Sequence, residues 1–173
     1  MNANFVPSYL SLSKKEFQIR IENALDILSK CKLCPRGCNV NRNQGELGVC
    51  NSGINLTISS YGPHYGEEKE LVGKFGSGTI FFTNCNLKCI FCQNYDISHL
   101  GQGYEVSTEE LSKIMIHLQN RGCHNINLVT PTHFMPQILQ SVHLAIKDGL
   151  KIPLVYNCGG YENLDSIKIL EGI

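Results

Sequence analysis

The sequence has no excess of charge of either sign. Lys and Arg together number 15, Asp and Glu together also number 15, and the formal net charge at pH 7 is zero. Proteins that bind nucleic acid or anionic membranes electrostatically carry an excess of basic residues or a basic patch. A chain with no net charge does not show that excess. We therefore expect no nucleic acid and no membrane among the partners.

Long apolar runs are also missing. No stretch approaches the roughly 20 apolar residues that span a membrane, and the start from Met1 to Lys15 lacks the charged-then-apolar pattern of a secretory signal. We expect a cytoplasmic protein. Apolar residues still make up 42% of the 173 residues and charged residues only 17%, which is enough for one buried core.

Cysteine, by contrast, is abundant. There are nine cysteines, and an odd number excludes a fully paired set of disulfides. In a reducing cytosol, metal ligands and catalytic thiols are the commoner uses. Seven of them form two tight clusters: Cys31, Cys34, Cys38 and Cys50, then Cys85, Cys89 and Cys92. Cys123 and Cys158 stand alone.

The second half of the chain alternates short apolar strands with amphipathic helices. We predict strands at 79–83, 126–130 and 152–157, and helices at 108–120, 134–147 and 163–171. This order is typical of an α/β fold with a parallel sheet, whose reactive site lies at the carboxyl ends of the strands. We divide the chain into residues 1–60, a helix plus a Cys-rich metal-binding segment, and residues 61–173, the core.

The motif Cys85-x3-Cys89-x2-Cys92 follows the first predicted strand directly. At this cysteine frequency, such a triple arises by chance only about 0.02 times in a chain of this length. A [4Fe–4S] cluster normally takes four thiolates, so three thiolates on one short loop leave one iron open. A coordination position that no protein ligand fills distinguishes a reactive metal site from a structural one.

This loop, with an aromatic residue before its last cysteine, resembles the radical S-adenosylmethionine superfamily. The stretch Gly76-Ser-Gly-Thr-Ile-Phe-Phe and the upstream Cys31-Lys-Leu-Cys34-Pro-Arg-Gly-Cys38 resemble its pyruvate formate-lyase-activating-enzyme-like branch. The resemblance covers roughly residues 17–173. It implies an N-terminal, three-unit part of a β/α barrel whose full form has about six βα units. We therefore expect a fragment of a protein of about 300 residues, with an open, self-associating edge at the third strand.

The resemblance also implies the chemistry. Cys85, Cys89 and Cys92 would hold a [4Fe–4S] cluster, and S-adenosylmethionine would chelate the open iron. Reductive cleavage would then release a 5′-deoxyadenosyl radical that takes hydrogen from a substrate. The expected partners are an electron donor such as flavodoxin or ferredoxin and, as the branch suggests, a glycyl-radical protein. A small-molecule substrate is the alternative.

Other site residues follow by analogy or by position. Phe91 would lie against the adenine. Many relatives carry Gly-Gly-Glu after the second strand to hold the methionyl amine, whereas here the hydroxyls of Thr130 and Thr132 take that place. Asn157, at the end of the third strand, is a candidate ligand of the ribose. His133 follows the second strand at the reactive edge and is the candidate catalytic residue.

The four upstream cysteines have the spacing Cys31-x2-Cys34-x3-Cys38-x11-Cys50. Four thiolates complete a coordination sphere, so this site is predicted to be structural or an electron relay, with zinc or an auxiliary iron–sulfur cluster bound. Several basic residues lie nearby, and their expected place is a solvated face, with a partner surface as the alternative: Lys30, Lys32, Arg36 and Arg42. Two alternatives to a radical enzyme remain, a non-catalytic iron–sulfur electron carrier and a zinc-stabilised binding module.

Overall fold

The computed structural model describes residues 5–173, which form one mixed sheet with helices packed against it. The strands are β1 (Leu56–His64), β2 (Ser77–Phe82), β3 (Tyr104–Val106), β4 (Ile126–Val129) and β5 (Leu154–Asn157). The α-helices are α1 (Lys14–Asp26), α2 (Lys69–Val72), α3 (Tyr95–Ser98), α4 (Thr108–Asn120), α5 (Met135–Lys147) and α6 (Leu164–Leu170). The α/β class predicted from the sequence is confirmed.

The strand order in the sheet is β3-β1-β2-β4-β5. The three strands predicted as parallel are parallel neighbours, with Ile80 beside Leu128 and Leu128 beside Tyr156. The sequence did not predict that β1 would pair with β2 in the antiparallel direction, nor that β3 would extend the sheet. The described sheet is thus mixed and open, with β3 and β5 at its edges, and is consistent with part of a radical SAM fold.

Strand β1 is longer than its composition suggests because it continues through a proline. Pro63 pairs with Gly78 of β2, while β3 covers only the segment from Leu56 to Ile58 on the other side of β1. A proline has no amide hydrogen to donate, so it is tolerated where one side of the strand lacks a neighbour. The boundary drawn between residues 60 and 61 falls inside this strand.

The helices begin and end where local sequence signals place them. Ser107 and Glu110 form a reciprocal capping box at the start of α4, with hydrogen bonds of 2.7 and 3.1 Å. Gly122, with a φ of 90°, follows the end of α4, where the left-handed conformation favours glycine. Among residues 5–173, no helix has both the length and the apolar character needed to cross a bilayer.

The core lies between the sheet and helices α1, α4 and α5. Ile80 and Leu128 from the sheet meet the apolar stripes of α4 and α5 there. Helix α1 adds Phe17 and Ile21 to the same core, and the hydroxyl of Tyr9 donates to the carbonyl oxygen of Ile152 at 2.6 Å. The N-terminal residues thus help to hold the parallel strands whose ends carry the site.

Candidate functional site

The carboxyl ends of the three parallel strands lie at one edge of the sheet. The loops that leave them are residues 83–94 after β2, residues 130–134 after β4 and residues 158–163 after β5. All candidate cofactor-binding residues named from the sequence are in these loops or at the ends of these strands. The parallel register explains this convergence, since neighbouring parallel strands end side by side.

The cysteine loop after β2 has an irregular but well-supported backbone. Asn84 and Lys88 have φ angles of 65° and 56°, in the left-handed region that few non-glycine residues adopt. The amide of Asn84 donates to the carbonyl oxygen of Ile97 at 2.9 Å, and Nζ of Lys88 donates to that of Ser98 at 3.1 Å. The short helix α3 therefore holds the loop in its two tight bends.

The thiols of Cys85, Cys89 and Cys92 are free and half-buried. The amide of Leu87 donates to Sγ of Cys85 at 3.3 Å, and the hydroxyl of Ser98 donates to Sγ of Cys92 at 3.2 Å. Hydrogen bonds of this kind to ligating sulfurs are among the features that tune iron–sulfur clusters.

The sulfur positions alone do not define a metal centre. Within residues 5–173, no three His, Cys, Asp or Glu side chains stand in an arrangement that could hold a metal ion. What fits a [4Fe–4S] cluster is the chemistry of the donor set: three unpaired thiols on one loop, two of them accepting hydrogen bonds. The role of these cysteines as ligands stays a prediction.

Two apolar side chains project from the tip of this loop. Ile90 is 93% exposed and Phe91 is 86% exposed, and they are the two central residues of the Cys89–Cys92 turn. An apolar tip at a reactive edge is expected where a ligand or partner covers it. The predicted contact of Phe91 with adenine is not tested by this arrangement, which leaves the ring free to make it.

The loop after β4 contains a strained residue and a carboxylate contact. Thr130 has a φ of 60°, which is exceptional for a β-branched residue and is found mostly at functional sites. Thr132 is buried, and its hydroxyl donates to Oε1 of Glu162 at 2.6 Å. Oε2 of Glu162 is buried and has no hydrogen-bond partner among the described residues. Both predicted threonines thus lie at the edge, one of them bonded to a carboxylate.

Asn157 connects the second and third parallel strands through its backbone. Its carbonyl oxygen accepts a hydrogen bond of 2.8 Å from the amide of Thr130, and the residue is exposed. Within residues 5–173, the side chain of Asn157 makes no hydrogen bond. The predicted contact with a ribose stays a prediction.

His133 lies in the interior, not on the open face of the edge. Its exposed fraction is 2%, and its Nε2 donates to the carbonyl oxygen of Thr83 at 2.7 Å, which places the ring proton on Nε2. Burial lowers the pKa of His133 to about 3, so the ring is neutral. Its Nδ1 is buried and has no hydrogen-bond partner within residues 5–173. The catalytic role predicted for it stays a prediction, and the structure gives it a buried position.

The four upstream cysteines line a single small cavity. Cys31, Cys34, Cys38 and Cys50 surround it, and His133 contributes to the same wall. The amide of Cys31 donates to the carbonyl oxygen of Val40 at 2.9 Å, which folds the segment back on itself and brings Cys31 towards Cys38. The structure therefore brings together the four residues that the spacing predicts as one site, while their metal stays a prediction.

This Cys-rich segment contacts the cysteine loop directly. The guanidinium of Arg36 donates from Nε to the carbonyl oxygen of Asn86 at 3.1 Å and from Nη2 to that of Leu87 at 3.0 Å. The side chain of Asn86 donates to the carbonyl oxygen of Tyr161 at 2.9 Å, and Asn86 lies beside the thiol of Cys34, whose pKa is raised chiefly by burial. The two cysteine groups are thus joined through Arg36 and Asn86.

Glu162 was not predicted from the sequence as a site residue, and the position predicted for Arg42 differs from the one that the structure shows. The solvated face expected for the basic residues is wrong for Arg42, which is fully buried and donates from Nη1 to the carbonyl oxygen of His133 at 2.6 Å. Glu162 follows the Gly159-Gly160 pair, but no local pattern connects it to Thr132. Only the adjacent ends of β4 and β5 bring Thr132 and Glu162 together.

Comparisons with known proteins agree with this arrangement. The sequence model of the radical SAM superfamily matches residues 79–172. The chain is 32% identical over 164 residues to uncharacterized protein MJ0674 of Methanocaldococcus jannaschii, covering 90% of this chain and 46% of the relative. It is 25% identical over 158 residues to uncharacterized protein MJ0808 of the same organism, covering 82% of this chain and 46% of that relative.

The chain therefore spans about half the length of the curated relatives it matches. No solved structure matches it significantly. The matched residues 79–172 include the cysteine loop and the three parallel strands whose ends form the edge described above. The chain belongs to the radical SAM superfamily.

Proposed function

We propose that this protein is a radical SAM enzyme that holds one [4Fe–4S] cluster on Cys85, Cys89 and Cys92. The observation that carries the proposal is the C-x3-C-x2-C loop itself. It offers three free thiols at the carboxyl end of a parallel strand, in a chain of this superfamily. When bound, the cluster would supply one electron to the sulfonium of S-adenosylmethionine, giving methionine and a 5′-deoxyadenosyl radical.

The chain's own residues would orient the nucleotide. Phe91 offers an exposed aromatic face at the loop tip for the adenine. Glu162, with Thr132 fixing one of its oxygens, offers the other oxygen to the methionyl ammonium. This carboxylate comes from the loop after β5, and it would replace the glutamate that many relatives carry after the second strand. An ammonium group would be a favourable donor to this carboxylate, because burying a carboxylate oxygen without a hydrogen bond is energetically unfavourable.

The substrate and partner proposals follow the resemblance to the activating-enzyme branch. The electron would come from a carrier such as flavodoxin or ferredoxin, and hydrogen would be taken from a glycyl residue of a partner protein. The exposed pair Ile90 and Phe91 supports contact with a larger molecule at this edge.

The test is anaerobic reconstitution of the chain with iron and sulfide. We expect an oxygen-sensitive cluster, a spectral change on addition of S-adenosylmethionine, and 5′-deoxyadenosine after reduction. Each of Cys85→Ala, Cys89→Ala and Cys92→Ala should abolish all three, whereas Cys123→Ala, at a buried cysteine outside the loop, should retain them. Retention of the cluster in any loop variant would overturn the ligand assignment. A stable cluster that never responds to S-adenosylmethionine would instead indicate an electron carrier.

A further inference from the structure

A buried positive charge beside the four upstream cysteines needs a negative counterpart. Arg42 is fully buried, and its guanidinium donates to the carbonyl oxygens of Gly53 and His133, both of them neutral groups. It takes part in neither of the ion pairs found within residues 5–173. Burying an unpaired charge is expensive, so buried charges are normally paired or lie beside metal centres.

The cavity that Arg42 itself lines can supply negative charge. No Asp or Glu is among the residues around this cavity, but four free cysteines are, and Arg36 joins Arg42 in its wall. Four neutral thiols would leave the buried guanidinium of Arg42 uncompensated, whereas Arg36 is exposed to solvent. Four thiolates around a divalent ion carry two net negative charges, which match the two positive charges of the arginines.

The size of the cavity selects between the two kinds of metal centre. Its volume is about 10 Å³, close to that of one water-sized sphere. A single ion fits such a space, whereas a cluster of four irons and four sulfides does not. The cysteine sulfurs do not converge at ligand distance in this structure, so binding requires the thiols to turn about χ1, which moves between discrete rotamers.

A hydrogen bond to one of the sulfurs agrees with a thiolate site. The amide of Val49 donates to Sγ of Cys38 at 3.4 Å. Such donors around ligating sulfurs are the usual outer shell of a metal site.

We propose that Cys31, Cys34, Cys38 and Cys50 bind one zinc ion whose negative four-thiolate complex is neutralised by Arg36 and Arg42. This site is separate from the radical chemistry and does not depend on it. Because Arg36 and Asn86 connect the Cys-rich segment to the cysteine loop, the zinc ion also holds that loop against the sheet edge.

The experiment measures zinc, iron and sulfide per chain in the full 173-residue protein. A variant with Cys85, Cys89 and Cys92 all replaced by Ala should still contain one zinc per chain and no iron. This result separates the zinc proposal from the proposed function, because the first survives there and the cluster does not. Four additional irons that depend on the upstream cysteines, or no metal at all, would overturn the proposal.

Variants of the site provide matched comparisons. Cys34→Ser should lose the zinc, whereas Cys123→Ser, at a buried cysteine outside the cavity, should keep it. Arg42→Met keeps an unbranched, flexible side chain and removes the charge, so zinc affinity should fall on the order of 10–100-fold, as is typical of outer-shell changes. Arg121→Met, at an exposed arginine, should leave affinity unchanged. Equal affinities in the two arginine variants would contradict the charge argument.

Cobalt gives a readout that needs no substitution among the four upstream cysteines. Co²⁺ added to the triple Ala variant should produce the thiolate-to-metal absorption and the intense visible bands of a tetrahedral sulfur site, and zinc should displace it. A weak spectrum typical of six oxygen or nitrogen ligands would show that the four thiols do not form the site.

Discussion

The hydroxyl of Thr132 donates a hydrogen bond of 2.6 Å to Oε1 of Glu162, which joins the loop after β4 to the loop after β5. This contact orients a carboxylate at the same sheet edge as the cysteine loop. Its second oxygen is buried and has no hydrogen-bond partner in the part of the chain that the structure describes. Under the proposed function, Thr132 would act as a positioning residue, and Glu162 would be the group offered to a cationic ligand.

Replacing Glu162 by Gln should weaken binding of S-adenosylmethionine to the reconstituted protein. The amide keeps the shape and still accepts from Thr132, but it loses the charge that would hold an ammonium. A hydrogen bond to a charged group contributes about 1.5–3 kcal/mol, so Kd should rise roughly 10- to 150-fold. Equilibrium binding measures this directly. Glu22→Gln, at an exposed position on α1, is the control and should bind like the wild type.

Ser98→Ala should lower the reduction potential of the cluster without loss of iron. The hydroxyl of Ser98 has one proton, and since that proton goes to Cys92, the 2.8 Å contact with Nδ1 of His99 must run from the ring to the hydroxyl. Donors to ligating sulfurs stabilise the reduced, more negative state. A redox titration followed by electron paramagnetic resonance tests this.

The control for the cluster potential is Ser29→Ala, whose hydroxyl donates to the carbonyl oxygen of Asp26 at an exposed position after α1. It should leave the potential unchanged. A Ser98→Ala protein with full iron content and the wild-type potential would show that this hydroxyl does not reach the cluster.

His133 should make the folded state less stable as the pH falls below 6.5. Its pKa is lowered from 6.5 to about 3, chiefly by burial and further by Arg42 and Lys88, while its bond to the Thr83 carbonyl acts in the opposite direction. The unfolded state therefore binds a proton that the folded state does not. Between pH 6.5 and pH 5, this single group should reduce the free energy of unfolding by about 2 kcal/mol.

Urea unfolding at pH 7 and pH 5 measures this dependence, with His133→Gln as the matched variant. The glutamine amide can still donate to the carbonyl oxygen of Thr83 but does not titrate. The wild type should lose more stability than the variant over this range. Identical losses in the two proteins would mean that His133 is protonated in the folded state as readily as in the unfolded state.

Gly78→Ala should destabilise the sheet where β2 meets β4. A Cβ atom at this position would lie 2.6 Å from the carbonyl oxygen of Asn125 and 3.1 Å from Cβ of Cys123. Overpacking of this kind costs about 1–3 kcal/mol. Gly62→Ala is the matched strand control, because no atom lies within 4 Å of its added Cβ. Denaturant midpoints should differ clearly between the two variants, and equal midpoints would contradict the tight approach of β2 to Asn125.

Much of the fold could be predicted from the sequence because it depends on short-range patterns. The helix from residue 108 to residue 120 was predicted with the bounds that the structure has, since the Ser107–Glu110 box begins it and an apolar stripe runs along one face. The three parallel strands were found from short apolar runs between such helices. The pairing of β1 with β2 was not predicted, because a β-like composition does not specify which strand lies alongside it.

The sequence by itself determined the two cysteine groups, since ligand spacing is a local property of the chain. Only the tertiary structure decided what surrounds them. Arg42 contacts His133 across 91 positions in the sequence, Arg36 reaches Asn86 across 50, and Thr132 reaches Glu162 across 30. Contacts of this kind depend on how the strands and loops pack, and local pattern carries no information about partners so far apart. For that reason a basic residue expected at the surface proved to be buried beside four thiols.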